Sequence, residues 1–366
     1  MYNISFKVYN NDKLKYLHSR INTAAFIWNH CIALQKRYHR LYSKYINVYK
    51  LKKHIAKLRN KNPRWRELTA QSVQEIVERV DTSYQRFFKK LALHPPKFKK
   101  PKNFNSFVFK QCGYKLKDNT LTVNKVGNFK FYKSREYENV KRVAVKRNKL
   151  GEIFFIFTCN STLKSYNRLG DANIGIDFGL KTFLTLSNGE EIKSPEFYKQ
   201  NIKKMKKANR SLSSKKKGSK NRKKALRELQ RLHINISNQR SDFEWKLAHE
   251  LCKANKLICI EDLNIAAMKK IWGRKVSDLS FSSLVEKLEQ VAIKYGTTIQ
   301  KIGRFYPSSK LCTCGTVNKE LTLKDREWTC SSCNTTNRRD VLASNNILTE
   351  GIRLYCTKHK TSSEAV

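Results

Sequence analysis

Two hydrophobic patterns divide the first half of the chain. Apolar and polar residues alternate over residues 2–8, which predicts one short strand. From Asp12 to Tyr38 the apolar positions recur every three or four residues, and a second such stripe runs from Val73 to Leu91, beyond Pro63. This spacing predicts amphipathic helices whose apolar stripes are buried in a core.

Residues 104–159 carry a series of short extended patterns. Closely spaced short strands of this kind are typical of a small β-barrel, and we expect the strand at residues 2–8 to join it. The helices of residues 11–94 then form an insertion into the barrel. Apolar segments between turn signals predict five strands, near Phe107–Phe109, Leu121–Val123, Phe129–Phe131, Val143–Val145 and Phe154–Phe157.

The second half of the chain contains predicted strands that end at acidic residues. Residues 173–176 predict a short apolar strand that ends at Asp177, and Gly179 then allows a turn into a strand at residues 183–186. An acid at such a position is often only a turn former. Its significance therefore depends on acids elsewhere in the chain.

A later predicted strand, residues 256–260, is followed by two acids. Because adjacent side chains on a strand point to opposite faces, only one of Glu261 and Asp262 can face Asp177. We choose Glu261 and expect Asp262 to cap or face away. A helix at residues 282–295 and a strand at residues 297–302 follow.

The net charge lies far outside the range of ordinary globular proteins. Among 366 residues, 76 Lys and Arg stand against 29 Asp and Glu, which gives a formal net charge of +47. Such a chain repels itself unless it meets a polyanion, so we expect a nucleic-acid partner. A basic membrane-surface protein, the alternative, would need a concentrated amphipathic helix or a lipidation motif, and neither is evident.

The densest positive charge lies in a predicted antiparallel helix pair, residues 196–251. No acid occurs from Phe197 to Arg227. A run of this kind is solvated or disordered in many proteins, but here it also suits a grip on a nucleic-acid backbone. The candidate nucleic-acid ligands are Lys215, Lys216, Lys217, Lys220, Arg222, Lys223 and Lys224.

Four of the ten cysteines are grouped near the C-terminus. No stretch approaches 18 apolar residues and no secretory segment opens the chain, so we expect an intracellular protein, cytoplasmic and nucleoid-associated in a prokaryote. Reduced cysteines in such pairs favour metal binding, and four thiolates suit one structural Zn²⁺. Four free thiols in a degenerate ribbon are the alternative. The candidate zinc ligands are Cys312, Cys314, Cys330 and Cys333.

A third acid follows the cysteines, because residues 337–347 predict a helix with Asp340 in its first turn, where the helix dipole favours any acid. Asp177, Glu261 and Asp340 thus have the layout by which the RNase H-like fold gathers carboxylates at one sheet edge. Three converging carboxylates need cations to offset their repulsion, and two Mg²⁺ or Mn²⁺ ions roughly 3.5–4 Å apart do so. These acids are therefore the predicted metal ligands and catalytic residues for phosphodiester hydrolysis.

Taken together, these residues resemble the TnpB family, the RNA-guided nucleases of insertion-sequence transposons and relatives of type V CRISPR effectors. The resemblance covers nearly the whole chain, and its motifs are specific as an ordered set. The matching segments are Gly175-Ile-Asp177-Phe-Gly179, Lys215-Lys-Lys-Gly-Ser-Lys-Asn-Arg222, Ile260-Glu261-Asp-Leu-Asn264, Ser308-Ser-Lys310 and Arg339-Asp340.

The resemblance implies an α+β multidomain protein that contains a wedge β-barrel with a helical recognition insertion, an RNase H-like RuvC nuclease domain and a zinc ribbon. It also implies a guide RNA from the transposon end, and a double-stranded DNA target chosen by pairing beside a short transposon-adjacent motif. We expect a monomer. The implied boundaries are 1–10 and 95–169 for the barrel, 11–94 for the insertion, 170–308 (with the basic hairpin 196–251) and 337–356 for the nuclease, 309–336 for the ribbon and 357–366 for a disordered tail.

The chain departs from the family pattern at two places, and the altered surroundings of Asp340 favour a second hypothesis, an RNA-guided DNA-binding regulator whose nuclease centre has decayed, although the intact set of three acids argues against it. The first cysteine pair, Cys312-Thr-Cys314, is one residue shorter than the usual Cys-x-x-Cys, and Leu342 replaces the usual asparagine two residues after Asp340. An actin- or Hsp70-like ATPase, which shares the strand pattern around Asp177, would need a second Gly-rich phosphate loop. A direct DNA-strand transposase would need a tyrosine-nucleophile motif, and none is evident.

Overall fold

The computed structural model describes residues 1–124, 126–160, 165–322 and 325–363. The chain forms two compact units, Met1–Leu163 and Lys164–Val366. Within the described ranges, no helix is both long and apolar enough to cross a membrane.

Three helices of the first unit carry the apolar stripes found in the sequence. They are α1 (Leu14–Tyr42), α2 (Val48–Lys61) and α3 (Ala70–Phe88). The break between α1 and α2 is not evident from hydrophobic spacing. It arises because Ser43 adopts a left-handed conformation (φ 51°) and the Asn47 side chain accepts a hydrogen bond from the backbone N–H of Tyr49, which starts a new helix.

Two antiparallel sheets complete the first unit. One has the order β1-β7-β6-β2 and the other is the meander β3-β4-β5. The N-terminal strand joins the larger sheet, as predicted. The pairings among the described residues give two sheets, linked by a bridge from Val8 to Phe131, so the predicted closed barrel is not confirmed. The strands are β1 (Tyr2–Lys7), β2 (Ser106–Phe109), β3 (Tyr114–Lys117), β4 (Thr120–Val123), β5 (Gly127–Lys130), β6 (Val140–Arg147) and β7 (Ile153–Cys159).

A five-stranded mixed sheet forms the centre of the second unit. Its order is β10-β9-β8-β11-β12, so that strands counted along the chain lie in the order 3-2-1-4-5. β8, β11 and β12 are parallel, whereas β9 and β10 run antiparallel to their neighbours. The strands are β8 (Ala172–Phe178), β9 (Leu184–Leu186), β10 (Glu191–Ile192), β11 (Asn255–Glu261) and β12 (Thr298–Ile302).

Five helices and a small hairpin surround this sheet. The helix pair α4–α5 and the helix α7 match the sequence prediction, whereas α6 has no counterpart in it. The last helix extends to Ser363, so the predicted disordered tail is wrong for residues 357–363, and residues 364–366 lie outside the described residues. The elements are α4 (Phe197–Ser213), α5 (Lys220–Ala254), α6 (Ile265–Leu279), α7 (Phe281–Tyr295), β13 (Glu327–Thr329), β14 (Thr336–Arg338) and α8 (Arg339–Ser363).

The two faces of the sheet have different partners. Ile258 and Ile260 of β11 share a core with residues of α5 and α7, whereas Leu257 and Cys259 share a core with Ile347 of α8. Side chains alternate between faces along a strand, so even-numbered residues of β11 face α5 and α7 and odd-numbered residues face α8. This alternation decides which acids can meet.

Candidate functional site

Asp177 and Glu261 lie side by side at the ends of two parallel strands. Ile176 of β8 is paired with Ile260 of β11, so each acid is the next residue along its own strand. Neighbouring strands are about 4.8 Å apart. Glu261 follows the odd-numbered alternation of β11 and Asp177 occupies the matching register position. Both carboxylates therefore belong to the α8 face of the sheet.

Helix α8 crosses this face at very close range, and it begins beside the two acids. A Cβ atom on Gly175 would overlap the backbone oxygen of Ser344 and lie 2.8 Å from the backbone nitrogen of Leu348. The glycine two residues before Asp177 thus lets the helix backbone touch the strand. Asp340 lies in the first turn of α8, as the sequence predicts.

The three carboxylates interact electrostatically. Burial, then the negative charges of Glu261 and Asp340, raise the pKa of Asp177 from 3.8 to about 7, despite the opposing effects of Arg339 and the backbone N–H of Phe178. Burial also raises the pKa of Glu261, although a hydrogen bond from Ser308 opposes this. Asp177 therefore lies close enough to both other acids for their charges to oppose its ionisation.

The three carboxylates do not form one compact set of ligand atoms. Among the described residues, the one set of three or more His, Cys, Asp or Glu side chains whose ligand atoms all lie within 4.8 Å of one another is the cysteine quartet. As carboxylates, the three acids are nevertheless a donor set that suits hard divalent cations such as Mg²⁺.

Arg326 is a member of the site that sequence reasoning missed. Its Nη1 lies 2.9 and 3.1 Å from the two carboxylate oxygens of Asp340. The hairpin explains the contact, because the pairing of Glu327 with Arg338 places Arg326 beside the start of α8. Asp340 is thus held by a cation from the segment that precedes β13.

Asp262 points away from the site, as expected from strand alternation. Its carboxylate forms an ion pair with Arg304 at 2.6 Å, and its side chain is about half exposed. The choice of Glu261 over Asp262 therefore agrees with the geometry. Whether Glu261 acts in catalysis stays a prediction.

A hydrogen-bonded chain connects Glu261 to helix α8. The hydroxyl of buried Ser308 donates to the Glu261 carboxylate. The side-chain amide of Asn346 donates to the carbonyl oxygens of Ser308 and Leu311, at 2.7 and 2.6 Å. These contacts hold the Glu261 side chain against the helix that carries Asp340. The Ser308-Ser-Lys310 motif was visible in the sequence, but the hydrogen bond from Ser308 to Glu261 was not.

The four predicted zinc ligands come together. The Sγ atoms of Cys312 and Cys333 are 3.6 Å apart, as are those of Cys314 and Cys330. Sulfur atoms about 2.3 Å from a tetrahedral Zn²⁺ have a separation close to this. The backbone N–H of Cys314 is the main cause that lowers the pKa of Cys312 to about 6, which favours the thiolate. The donor set therefore fits zinc.

The shortened first cysteine pair and the second pair are each followed by the same kind of tight turn. Gly315 follows Cys314 with φ 89°, and Asn334 follows Cys333 with φ 56°. In each case a left-handed residue turns the chain back, and the backbone N–H groups of Gly315 and Asn334 donate to the carbonyl oxygens of the first cysteine of their pair, at 3.0 and 2.9 Å. The missing residue thus does not prevent four thiols from converging.

Leu342, the departure beside Asp340, has a packing role. It is buried and belongs to one apolar cluster with Trp328, Leu321 and two of the cysteines. The Leu342 side chain thus connects α8 to the ribbon hairpin and stabilises the junction between them.

The basic connection between α4 and α5 presents most of its charge to solvent. Arg222 is the exception, because its Nη1 donates to the carbonyl oxygens of Leu212 and Lys215 at 2.5 and 3.0 Å and so ties the end of α4 to α5. Lys215 is half-buried. The exposed members of the predicted set are Lys216, Lys217, Lys220, Lys223 and Lys224.

Two family models match the segments that carry these groups. The model OrfB_IS605, described as "Probable transposase", matches residues 159–272, which include Asp177 and Glu261. The model described as "Cas12f1-like, TNB domain" matches residues 281–347, which include the four cysteines and Asp340.

Named relatives and a solved structure extend the match over most of the chain. "Putative RNA-guided DNA endonuclease" of Streptomyces pristinaespiralis is 34% identical over 293 residues, 78% of this chain and 72% of that protein. "Putative RNA-guided DNA endonuclease InsQ" of Escherichia coli K12 is 28% identical over 347 residues, 89% of this chain and 86% of that protein. In fold, the chain resembles Cas12f1 from its complex with sgRNA and target DNA, with a TM-score of 0.59 at 14% identity over 92% of this chain and 83% of that one. The chain belongs to the TnpB family of transposon-associated RNA-guided DNA endonucleases.

Proposed function

We propose that the protein is an RNA-guided DNA endonuclease whose hydrolytic centre consists of Asp177, Glu261 and Asp340. The observation that carries the proposal is the pairing of Ile176 with Ile260, which sets Asp177 and Glu261 side by side on the sheet face that α8 covers, with Asp340 in the first turn of that helix. Burial and the charges of the other two acids raise the pKa of Asp177, as expected for carboxylates that lie close together. The strand order 3-2-1-4-5, in which β9 runs antiparallel to both of its neighbours, β8 and β10, is that of RNase H-like folds and supports a RuvC-like centre.

The chemistry of the donor set favours magnesium. When bound, two Mg²⁺ ions supply charge stabilisation to the attacking and leaving oxygens of a phosphodiester. Asp177, Glu261 and Asp340 would together hold the ions. Ser308 keeps Glu261 oriented, and Arg326 keeps Asp340 oriented in the ion-free protein and adds positive charge where a phosphate enters.

The charge of the chain supports a guide RNA and a DNA target as partners. A net charge of +47 and the exposed lysines of the α4–α5 connection suit the backbones of a large nucleic-acid complex. The relatives are named as RNA-guided DNA endonucleases, and we extend that activity to this chain. Pairing with the guide would select a double-stranded target beside a short transposon-adjacent motif.

The remaining parts have supporting roles in this proposal. The first unit would be the wedge and recognition region, with the helices of residues 11–94 as the insertion. The cysteine quartet would hold one structural Zn²⁺ and thereby order the ribbon, residues 309–336. Because β14 leads directly into α8, an ordered ribbon also orders the start of the helix that carries Asp340.

The decisive experiment is cleavage of a matched target by the purified protein with its co-purifying RNA and Mg²⁺. Asp177→Ala should reduce cleavage at least about 1,000-fold, because it removes one of the three predicted metal ligands, and should leave RNA binding near the wild-type level. Asp262→Asn is the matched control, since Asp262 is ion-paired to Arg304 outside the site.

Two other outcomes would change the conclusion. Normal cleavage by Asp177→Ala would mean that the hydrolytic centre lies elsewhere. Guide-dependent DNA binding without cleavage by the wild-type protein would instead favour the RNA-guided regulator with a decayed centre. Sequencing of the co-purified RNA tests the guide separately, and a transcript from the 3′ flank of the gene is expected.

A further inference from the structure

Phe305 is the most exposed large apolar side chain of the described residues, with 94% of its surface accessible. Single exposed apolar residues are common on protein surfaces and need no explanation by themselves. What distinguishes Phe305 is its position, because it lies in the loop that leaves the sheet beside Glu261.

Both ends of this loop contact Glu261, one by strand pairing and the other by a hydrogen bond. Ile302, the last residue of β12, is paired with Glu261 in the sheet, and Ser308 donates its hydroxyl hydrogen bond to the Glu261 carboxylate. Phe305 is three residues from each of these points. Three residues span at most about 10 Å, so Phe305 lies at the rim of the carboxylate centre.

The loop is held in a defined shape. The backbone N–H of Tyr306 donates to the carbonyl oxygen of Gly303 at 3.1 Å, which closes a turn with Phe305 near its tip. Before the tip, Arg304 bonds to both the side chain and the backbone of Asp262, at 2.6 and 3.1 Å. After it, Tyr306 packs in the core formed with α8. The phenyl ring is therefore held outward by ordered neighbours on both sides.

The surroundings of the ring suit one kind of ligand. An exposed flat ring on the rim of a carboxylate site for phosphodiesters offers a stacking surface, while the neighbouring Arg304 is ion-paired with Asp262 and so fixes the loop. Aromatic rings stack on the faces of unpaired bases while cations contact the backbone. A continuous duplex offers no free base face within its stack, so the ligand must be single-stranded or unstacked there.

We propose that Phe305 is a base-stacking residue, which binds one unpaired base of the DNA strand next to the carboxylate centre and so sets the position of that strand. The proposal rests on the proposed function for the identity of the nucleic acid. It assigns a subsite to a side chain that makes no contribution to the core.

The first test is photocrosslinking, which does not require cleavage. A single-stranded DNA that carries 5-iododeoxyuridine at one of a series of successive positions is irradiated with the protein–RNA complex without Mg²⁺, and the attached peptide is identified by mass spectrometry. We expect attachment at Phe305 from one or two adjacent positions. Attachment spread over many positions, or none at Phe305, would overturn the proposal.

The second test separates stacking from a structural role. Phe305→Ala should weaken binding of a short single strand about five- to 150-fold, judged by quenching of 2-aminopurine at the crosslinked position, while Phe305→Trp restores it and Phe305→Leu does not. Ile293→Ala, at a residue of α7 that is 70% exposed, is the matched control. Equal binding by Phe305→Ala and wild type would contradict the proposal.

These readouts keep the two proposals apart. If Asp177→Ala cuts normally but Phe305 still crosslinks at one position, the nuclease assignment fails and the stacking site stands. If Asp177→Ala abolishes cutting and Phe305 neither crosslinks nor affects 2-aminopurine, the stacking proposal fails alone.

Discussion

The two candidate metal sites of the second unit are assembled in different ways. The four cysteines lie within residues 312–333, and two tight turns with left-handed residues bring them together. The three acids are spread from residue 177 to residue 340 and meet only because β8, β11 and α8 pack in one arrangement. One site is therefore a local property of the chain, and the other is a property of the fold.

The two sites are nevertheless physically connected. β14 ends at Arg338 and α8 starts at Arg339, so the ribbon hairpin and the helix that carries Asp340 are continuous. Arg326, just before β13, holds the Asp340 carboxylate, and Leu342 of α8 is buried against Trp328 of the ribbon. The local site should thus support the dispersed one, while the reverse dependence should be weak.

Among the changes that compare the two sites, loss of the cysteine site is expected to have the largest effect. Cys330→Ser should lower the zinc content, measured by inductively coupled plasma mass spectrometry, from one ion per chain to near zero, because three thiolates bind far more weakly than four. Structural zinc contributes on the order of 10 kcal/mol to such small domains, so the ribbon should unfold and cleavage should fall at least about 100-fold. Cys112→Ser, at an exposed cysteine outside the cluster, should change neither quantity. Full cleavage by the zinc-free variant would show that the sites are independent.

Gly175→Ala tests whether the dispersed site depends on close packing. The added methyl group would meet backbone atoms of α8, which cannot rotate away. We expect the free energy of unfolding, measured by urea denaturation, to fall by about 3 kcal/mol or more. Gly303→Ala is the control, because nothing lies within 4 Å of its added carbon. Equal stability of the two variants would mean that α8 can shift without cost.

The pH dependence of stability tests the burial of the Asp177 carboxyl beside the other two acids. The pKa of Asp177 is about 7 in the folded protein against 3.8 ordinarily, so the folded state binds this proton more tightly. In Mg²⁺-free buffer, the contribution of this tighter proton binding to the free energy of unfolding is fully present below about pH 4. It is lost as pH rises to about 7, a loss of about 2–4 kcal/mol. Asp177→Asn should remove this dependence of the free energy of unfolding on pH, measured by urea denaturation at a series of pH values. Asp262→Asn should keep it. An unchanged pH dependence in Asp177→Asn would contradict the raised pKa of Asp177.

The smallest expected effect concerns the orientation of Glu261. Ser308→Ala removes the hydroxyl that donates to the carboxylate without changing the fold of the loop. The Mg²⁺ concentration needed for half-maximal cleavage should rise about 10-fold, at the low end of the losses seen for groups that orient metal ligands. Ser309→Ala is the neighbouring control. No difference between the two variants would show that Glu261 is oriented by the sheet alone.

Much of this architecture could be predicted from local patterns, and the misses share a cause. The strands that carry Asp177 and Glu261 at or near their ends, the basic helix pair and the helix with Asp340 in its first turn follow from hydrophobic spacing and turn chemistry. The break at Ser43, the division of the first unit into two sheets and the extension of α8 to Ser363 depend on which segments pair or pack, and spacing along one segment does not contain that information.

The sequence by itself determined the identity of the groups: which acids end strands, which cysteines lie in pairs, and how strongly the chain attracts polyanions. Only the tertiary structure decided that Asp177 and Glu261 share the α8 face, that Gly175 admits the helix backbone, and that Arg326 and Ser308 hold two of the acids. The physical reason is range. Strand period, turns and thiol spacing act over a few residues, whereas the pKa of Asp177 depends on charges brought together by packing of distant segments.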